Sequence, residues 1–299
     1  MKEIFEFRID PKYYRLLTLK NNGRFNGSCY IVTVEPDDPL FDQIRQLYKE
    51  IKEKNGEFLF GYSNVKRKYS KEEINNASFL HLLIKSTFEP AGEECGTEYD
   101  YTSECKICGS NRKQIGLLKL EKSSLPKADI SMTIAGEVVV SERFADVFLN
   151  LNLKGATFNK IELDKGATNS LQLIVSSPEI DLTNKTIAGI NIFNMATEES
   201  QPQELNISGY ELRFDREVYK CPRGHTIGLN LLSMPHVLET SLASGYDLFV
   251  SRQNVGVKRG LLRPNPIYVC SAKFRKMTID KNLKGFDFQI AVIENSTNA

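Results

Sequence analysis

The sequence predicts an α+β protein, with an N-terminal α/β region followed by two copies of a small α+β unit. Three observations carry that expectation. A helix with clear start and stop signals sits between strand-like runs near the beginning; residues 141–158 and 271–288 match each other without a gap; and a Cys-x-x-Cys turn at Cys105 has a partial echo at Cys221. Length and composition permit this organisation, because 299 residues at 41% hydrophobic content can bury two modest cores or one large one.

The N-terminal region is expected over residues 1–77. Its β-branched run "CYIVTVE", from Cys29 to Glu35, reads as a strand. "DPLFDQIRQLYKEIKEKNG" then reads as a helix: Asp38 caps it, Pro39 takes the first turn, where its missing N–H costs nothing, and Gly56 stops it. Phe41, Ile44, Leu47, Tyr48 and Ile51 recur at helical spacing and form the face turned to a core. Ser70, with Glu73 three residues on, has the spacing of a capping box.

The remainder is best compared with itself. "SERFADVFLNLNLKGATF" (141–158) and "SAKFRKMTIDKNLKGFDF" (271–288) agree at seven of eighteen positions and both end in Asn-Leu-Lys-Gly-x-x-Phe. Each follows a short apolar run, "EVVV" or "PIYVC", and precedes a strand-like segment, so the unit reads strand, helix, glycine turn, strand. Ser141 and Ser271 are candidate N-caps, and Gly155 and Gly285 stand where the helices should end. Further upstream, Asp129 in "ADIS" aligns with Asp247 in "YDLF" once the second copy carries about a dozen extra residues, which fall in "VGVKRGLLRPNP". The first copy is expected over 78–160 and the second over 208–299. Residues 161–207, rich in Asn, Thr, Ser and Glu, form the expected connector, with "LQLIVSS" and "IAGINIF" as strands inside it.

"CKICG" sets Cys105 and Cys108 in a metal knuckle, but a closed zinc site takes four ligands. The second copy offers the other two. Cys105 aligns with Cys221, and although Gly224 stands where another cysteine would be, His225 follows it. Cys105, Cys108, Cys221 and His225 make a Cys₃His set, a composition of closed tetrahedral zinc, so the copies are expected to be joined by a pair of zinc knuckles. Four protein ligands leave no position for water, which makes the expected role of the Zn2+ structural. Cys95, in "AGEECGTEYD", is a competing ligand. A thioredoxin-like redox pair is the other reading of Cys105 and Cys108, but that motif opens a helix after a strand, and "GSNRKQIG" is a poor helix opening. Cys29 and Cys270 sit in apolar runs and read as inert buried thiols.

Taken together, "GEECGTEYD", "ECKICG", "KADI", "GEVVVSERF" and "LNLKG", with "YKCPRGHTIG" and "DLFVSRQNVGVKRGLLRPNPIYV", resemble a bacterial group of metal-binding proteins described by a doubled CxxCG motif. That group is similar in turn to immunity proteins of polymorphic toxin systems. The resemblance covers residues 88–160 and 215–293 and departs from the doubled pattern at Cys221-Pro-Arg-Gly-His225. It implies a metal-binding protein whose partner is another protein such as a cognate toxin, and it carries over no catalytic activity.

Composition narrows the alternatives. The 39 basic and 38 acidic residues leave a net charge of +1, so no global field draws the chain to nucleic acid or an anionic membrane. A local nucleic-acid contact is the runner-up, through Arg252, Lys258, Arg259 and Arg263 with Gln253 and Asn254 between them. The charges at Lys2, Glu3, Glu6 and Arg8 leave no apolar run for a signal peptide or membrane span, so a cytoplasmic location without membrane contact is expected. A cysteine-dependent redox or hydrolytic enzyme is the last alternative, but the signatures of common nucleophile, metal and phosphate sites are missing from the sequence. Of the three histidines, His81 in "FLHLLI" reads as a satisfied strand or core residue and His236 as a surface residue. The run Glu93, Glu94, Glu98 and Asp100 reads as a solvated loop.

Overall fold

Phe5, Phe7 and Ile9 alternate along the first strand and send their side chains to one face, which fixes the sheet on which the N-terminal core is built. The computed structural model describes residues 1–18, 23–189, 192–194, 204–207, 210–213 and 219–295. In the N-terminal region β1 (Lys2–Ile9) is followed by the short α1 (Pro11–Tyr14), β2 (Arg24–Phe25), β3 (Tyr30–Val34), α2 (Pro39–Asn55), β4 (Phe60–Lys68) and α3 (Lys71–Asn76). The strands form an antiparallel sheet in the order β2-β3-β1-β4. α2 lies over it with Ile44, Tyr48 and Ile51 buried. Asp38 accepts from Leu40 N–H, and Gly56 ends the helix at φ +67°, a conformation that suits glycine. Ser70 and Glu73 cap α3 reciprocally.

The rest of the described chain builds two further sheets, each carrying one helix. β5 (Phe79–Ile84) and β6 (Thr87–Phe88) come first, then β7 (Glu98–Asp100) and β8 (Lys113–Ile115), a hairpin with the first cysteine turn at its tip. After them run β9 (Leu118–Leu120), β10 (Ile130–Thr133), β11 (Val138–Ser141), α4 (Glu142–Asn150), β12 (Ala156–Leu163) and β13 (Ser170–Val175). β14 (Ala188–Gly189) opens a longer excursion through β15 (Glu204–Ile207), β16 (Tyr210–Arg213) and the second cysteine turn, which closes on β17 (Asn230–Leu231). The chain ends with β18 (His236–Leu238), β19 (Leu248–Val255), β20 (Asn265–Ser271), α5 (Ala272–Asp280), β21 (Phe286–Ile290) and β22 (Val292–Glu294).

One sheet has the order β6-β10-β11-β13-β12-β9 and the other β19-β20-β5-β21. Their registers correspond. Val139 faces Gln172 and Phe158 faces Leu173 across β13, while Val269 faces His81 and Phe288 faces Leu82 across β5. β13 thus lies inside the stretch expected to connect the copies, and it is the middle strand of a sheet. The expected strand at "IAGINIF" is reduced to β14 followed by a single helical turn at Ile192–Asn194. Residues 190–191, within that expected strand, and 195–203 of the expected connector lie outside the described residues, as do residues 208–209 and 214–218 of the expected second copy.

Both sheets share one core, in which Leu80, Leu82, Ile130, Phe144, Phe148, Leu173, Leu248 and Phe274 are buried together. Phe144 and Phe148 of α4 lie 6.0 and 6.2 Å, centroid to centroid, from Phe274 of α5. Ser141 and Ser271 cap the two helices as their positions suggest, accepting from Phe144 N–H and Phe274 N–H. Gly155 and Gly285, however, do not stop them. That work falls to Asn152 (φ +51°) and Asn282 (φ +49°), after which Leu153 N–H and Leu283 N–H return to Phe148 O and Thr278 O.

The two glycines answer a different demand. A Cβ on Gly155 would lie 2.2 Å from Leu248 O, and one on Gly285 2.3 Å from Ile130 O, so each glycine lets the turn after one helix touch a strand of the other sheet. Beside each contact sits an aspartate. Asp129 accepts from Ser141 Oγ and Lys284 N–H at 2.8 Å each; Asp247 accepts from Ser271 Oγ at 2.7 Å and Lys154 N–H at 3.1 Å. The shared Lys-Gly turn and the shared Asp are therefore two ends of one contact, made twice.

Candidate metal centre

The two cysteine turns close in the same way. Cys105 N–H donates to Ser110 O and Cys221 N–H to Thr226 O, both at 2.8 Å, and each loop passes through a left-handed glycine, Gly109 at φ +73° and Gly224 at φ +78°. The turns differ in where the second donor falls and in the length of the inner turn, since Gly109 N–H donates four residues back to Cys105 O and Gly224 N–H three residues back to Cys221 O. In the first, Cys108 precedes the glycine; in the second, His225 follows it, and the longer imidazole reaches the same point from one residue later.

The four donor atoms of Cys105, Cys108, Cys221 and His225 lie within 4.8 Å of one another. Cys105 Sγ is 3.9 Å from Cys221 Sγ, and His225 Nδ1 is 3.9 Å from both Cys108 Sγ and Cys221 Sγ. A tetrahedron with thiolate at about 2.3 Å and imidazole at about 2.0 Å has edges of about 3.8 Å between sulfurs and about 3.5 Å from sulfur to nitrogen. The donors already stand close to that spacing, so the group can hold a metal ion. All three thiols are buried and His225 is half-buried.

The backbone prepares the site electrostatically. Burial works against a Cys105 thiolate, but the N–H groups of Cys108 and Ile107, with the His225 and Cys108 side chains, favour it more strongly and pull the thiol down to about 6. At Cys221 burial prevails and the thiol is pushed up, opposed by the N–H groups of Arg223 and His225. Asn254 of β19 ties the turns together: its N–H donates to His225 O at 2.7 Å, its carbonyl accepts from Ile227 N–H, and its amide donates to Ser110 Oγ at 3.2 Å. Ser110 Oγ lies 3.4 Å from Thr226 Oγ1. None of these three residues was singled out as a ligand support from the sequence, yet Ser110 and Thr226 follow their cysteines at the same spacing, and that signal was present.

Cys95 does not belong to the group. Its half-buried thiol sits against the Glu121 backbone, and burial pushes it up. Among the described residues the group that could hold a metal ion is Cys105, Cys108, Cys221 and His225, and Cys95 lies outside it.

Of the four basic residues singled out in the sequence, Lys258 and Arg263 are held in internal ion pairs. Lys258 donates to the buried Glu104 at 2.8 Å and lies across Gly109, where a Cβ would meet its Cδ at 2.5 Å. Arg263, almost fully buried, donates to Glu93 at 3.0 Å, and Glu93 also accepts from Arg112, which continues to Glu137. Arg252 is exposed and faces Glu179 and Asp181 at 3.7 and 3.4 Å. Arg259 is exposed at a turn closed onto Leu262. Arg112, Arg252 and Arg263 line a polar cleft of about 220 Å³ beside the turns, but Glu93, Glu137, Glu179 and Asp181 match their charge. Glu93 is thus part of an ion-pair network and not the solvated loop residue its sequence context suggests.

The remaining histidines also differ from expectation. His81 lies in a buried strand, but its Nδ1 has no partner, and burial together with the charge of Arg67 pulls its imidazole down to about 4. His236 is half-buried and its Nδ1 lies 2.8 Å from Glu294. Among the described residues no helix is long and apolar enough to cross a membrane. Comparison with protein-family models gives no match, and comparison with curated proteins gives none.

Proposed function

We propose that this chain is a non-catalytic, zinc-stabilised protein-binding module, an N-terminal domain followed by two copies of one α+β unit, and that it acts in the cytoplasm as an immunity-like protein occupying a cognate bacterial toxin. The observation that carries the non-catalytic reading is the closed donor set. Three thiols and one imidazole close to tetrahedral spacing would fill the coordination of a zinc ion and leave no position on it for water or substrate. Zinc suits the set because it has no geometric preference of its own and accepts sulfur with nitrogen. When bound it would cross-link turn 105–110 to turn 221–226. The two-copy reading draws on the matched strand order, the matched registers and the doubled Asp to Lys-Gly contact.

The toxin-binding part rests on the resemblance to doubled-CxxCG proteins, and fold alone does not supply it. A nucleic-acid role is the weaker reading, because Lys258 and Arg263 are held in internal ion pairs. The test is co-expression. A candidate toxin encoded next to this chain should stop the growth of cells that produce it, and supplying this chain should restore growth and yield a complex of the two on purification. Absence of both rescue and complex would remove the immunity reading.

A further inference from the structure

In a two-copy chain each copy would be expected to complete its own sheet. β5 and β13 occupy the same place in the order of elements, each ahead of its own cysteine hairpin, and their sequences "SFLHLLIKS" (78–86) and "NSLQLIVSS" (169–177) follow one pattern. Yet β5, from the first copy, lies between β20 and β21 of the second, while β13, which this correspondence assigns to the second copy and not to the connector expected from the sequence, lies between β11 and β12 of the first. Immediately afterwards each chain segment returns home. Met132 N–H of β10 donates to Ser86 O, and Arg252 N–H of β19 donates to Ile180 O, both at 2.9 Å and both within a copy. The crossing points correspond too: Lys85 N–H donates to Gly285 O and Ser176 N–H to Gly155 O, again at 2.9 Å.

We infer that the two copies have exchanged their middle strands, and that this exchange, not the metal, holds them together. The inference rests on the two-copy reading above. Each sheet without its guest strand would present two unpaired edges and an open core, since Leu80 and Leu82 of β5 and Leu173 of β13 are buried between the helices and the opposite sheet. The metal joins only the turns, a layer outside that core. Its loss therefore loosens the cysteine turns, the hairpins β7–β8 and β14–β17, and the segment 256–264 that packs on the first turn, and leaves the exchanged sheets intact.

Two measurements test this. Leu83 faces Asp287 across the exchanged pair, whereas in unexchanged copies its position would face Thr157, which here faces Ile174. Leu83→Cys with Asp287→Cys should oxidise to an intrachain bridge, and Leu83→Cys with Thr157→Cys should not; the reverse pattern overturns the exchange. Separately, a site-specific protease sequence inserted between Lys165 and Gly166, in the exposed loop between β12 and β13, gives a nicked chain. Its fragments should co-elute at the intact size in chelator and reductant. Separation on chelation would mean that the metal is the staple. If the insertion disturbs folding, hydrogen exchange on the unaltered chain decides: residues 79–84 and 170–175 should keep their protection after metal removal, and loss of it refutes the inference. A chain that carries no metal at all would sink the zinc reading, while the cross-link pattern would still decide the exchange.

Discussion

Replacing Asp129 with Ala removes a carboxylate that is nearly buried and accepts two bonds, one from Ser141 Oγ and one from Lys284 N–H, at 2.8 Å each. The first holds the N-cap of α4 and the second holds the Lys-Gly turn after α5, so a single side chain serves both a helix and the contact between the two sheets. Hydrogen bonds to a charged partner contribute about 1.5–3 kcal/mol each, which puts the loss of two at about 3–6 kcal/mol. Asp129→Asn keeps the shape and one acceptor but turns an N–H₂ toward the second donor, and should cost about half as much. Asp247→Ala breaks the matching pair of bonds, 2.7 and 3.1 Å, and should agree with Asp129→Ala to within about 1 kcal/mol. Equilibrium unfolding in urea, with metal and reductant present, gives the numbers. A loss below about 1 kcal/mol at either aspartate would refute the reasoning that these contacts join the two sheets.

Further predictions follow from single sites. Gly155→Ala and Gly285→Ala combine a φ near +100° with a backbone oxygen at about 2 Å from the new Cβ, whereas Gly27→Ala has the same φ in open space; the first two should cost at least about 2 kcal/mol more than the third by urea unfolding. Burial holds His81 neutral down to about pH 4, while in the unfolded chain it takes its proton near pH 6.5. Stability should therefore fall as pH drops through that window, by on the order of 3 kcal/mol from this group, and His81→Gln should abolish that part of the pH dependence. Gln114 and Gln172 exchange two amide bonds, 3.0 and 2.6 Å, at the positions that correspond in register to Asn230 and His81, whose Nδ2 and Nδ1 lack partners. The double variant His81→Gln, Asn230→Gln should recreate that pair and raise stability at neutral pH by about 1–2 kcal/mol, measured by the same unfolding curve. Fluorescence anisotropy with labelled single- and double-stranded oligonucleotides at low salt should show no saturable binding, and salt-sensitive binding lost in Arg252→Gln would revive the nucleic-acid reading.

Much of the local structure was legible because it is written in short-range chemistry. The Asp38 and Ser70 caps, the stop at Gly56 and the serines ahead of α4 and α5 depend on neighbours a few residues away, and the cysteine turns carry their donors at fixed spacing. What escaped is long-range. The motif Asn-Leu-Lys-Gly looked like a helix stop ending in glycine, but asparagine performs the stop and glycine admits Ile130 O or Leu248 O from elsewhere in the chain, which no local pattern reveals. "LQLIVSS" was recognisable as a strand, yet its apolar pattern says nothing about which sheet takes it. Likewise the charges of Lys258 and Arg263 suggest an outward surface only until Glu104 and Glu93, more than 150 residues away in the chain, are placed against them.

The central claim is a closed Cys₃His zinc site shared by the two turns, and elemental mass spectrometry on chelator-free protein tests it most directly. Wild type should carry one zinc per chain; Cys105→Ser, Cys221→Ser and His225→Ala should each lose most of it, and Cys95→Ser should keep it. Wild type without metal, or metal retained in both Cys221→Ser and His225→Ala, would contradict the account.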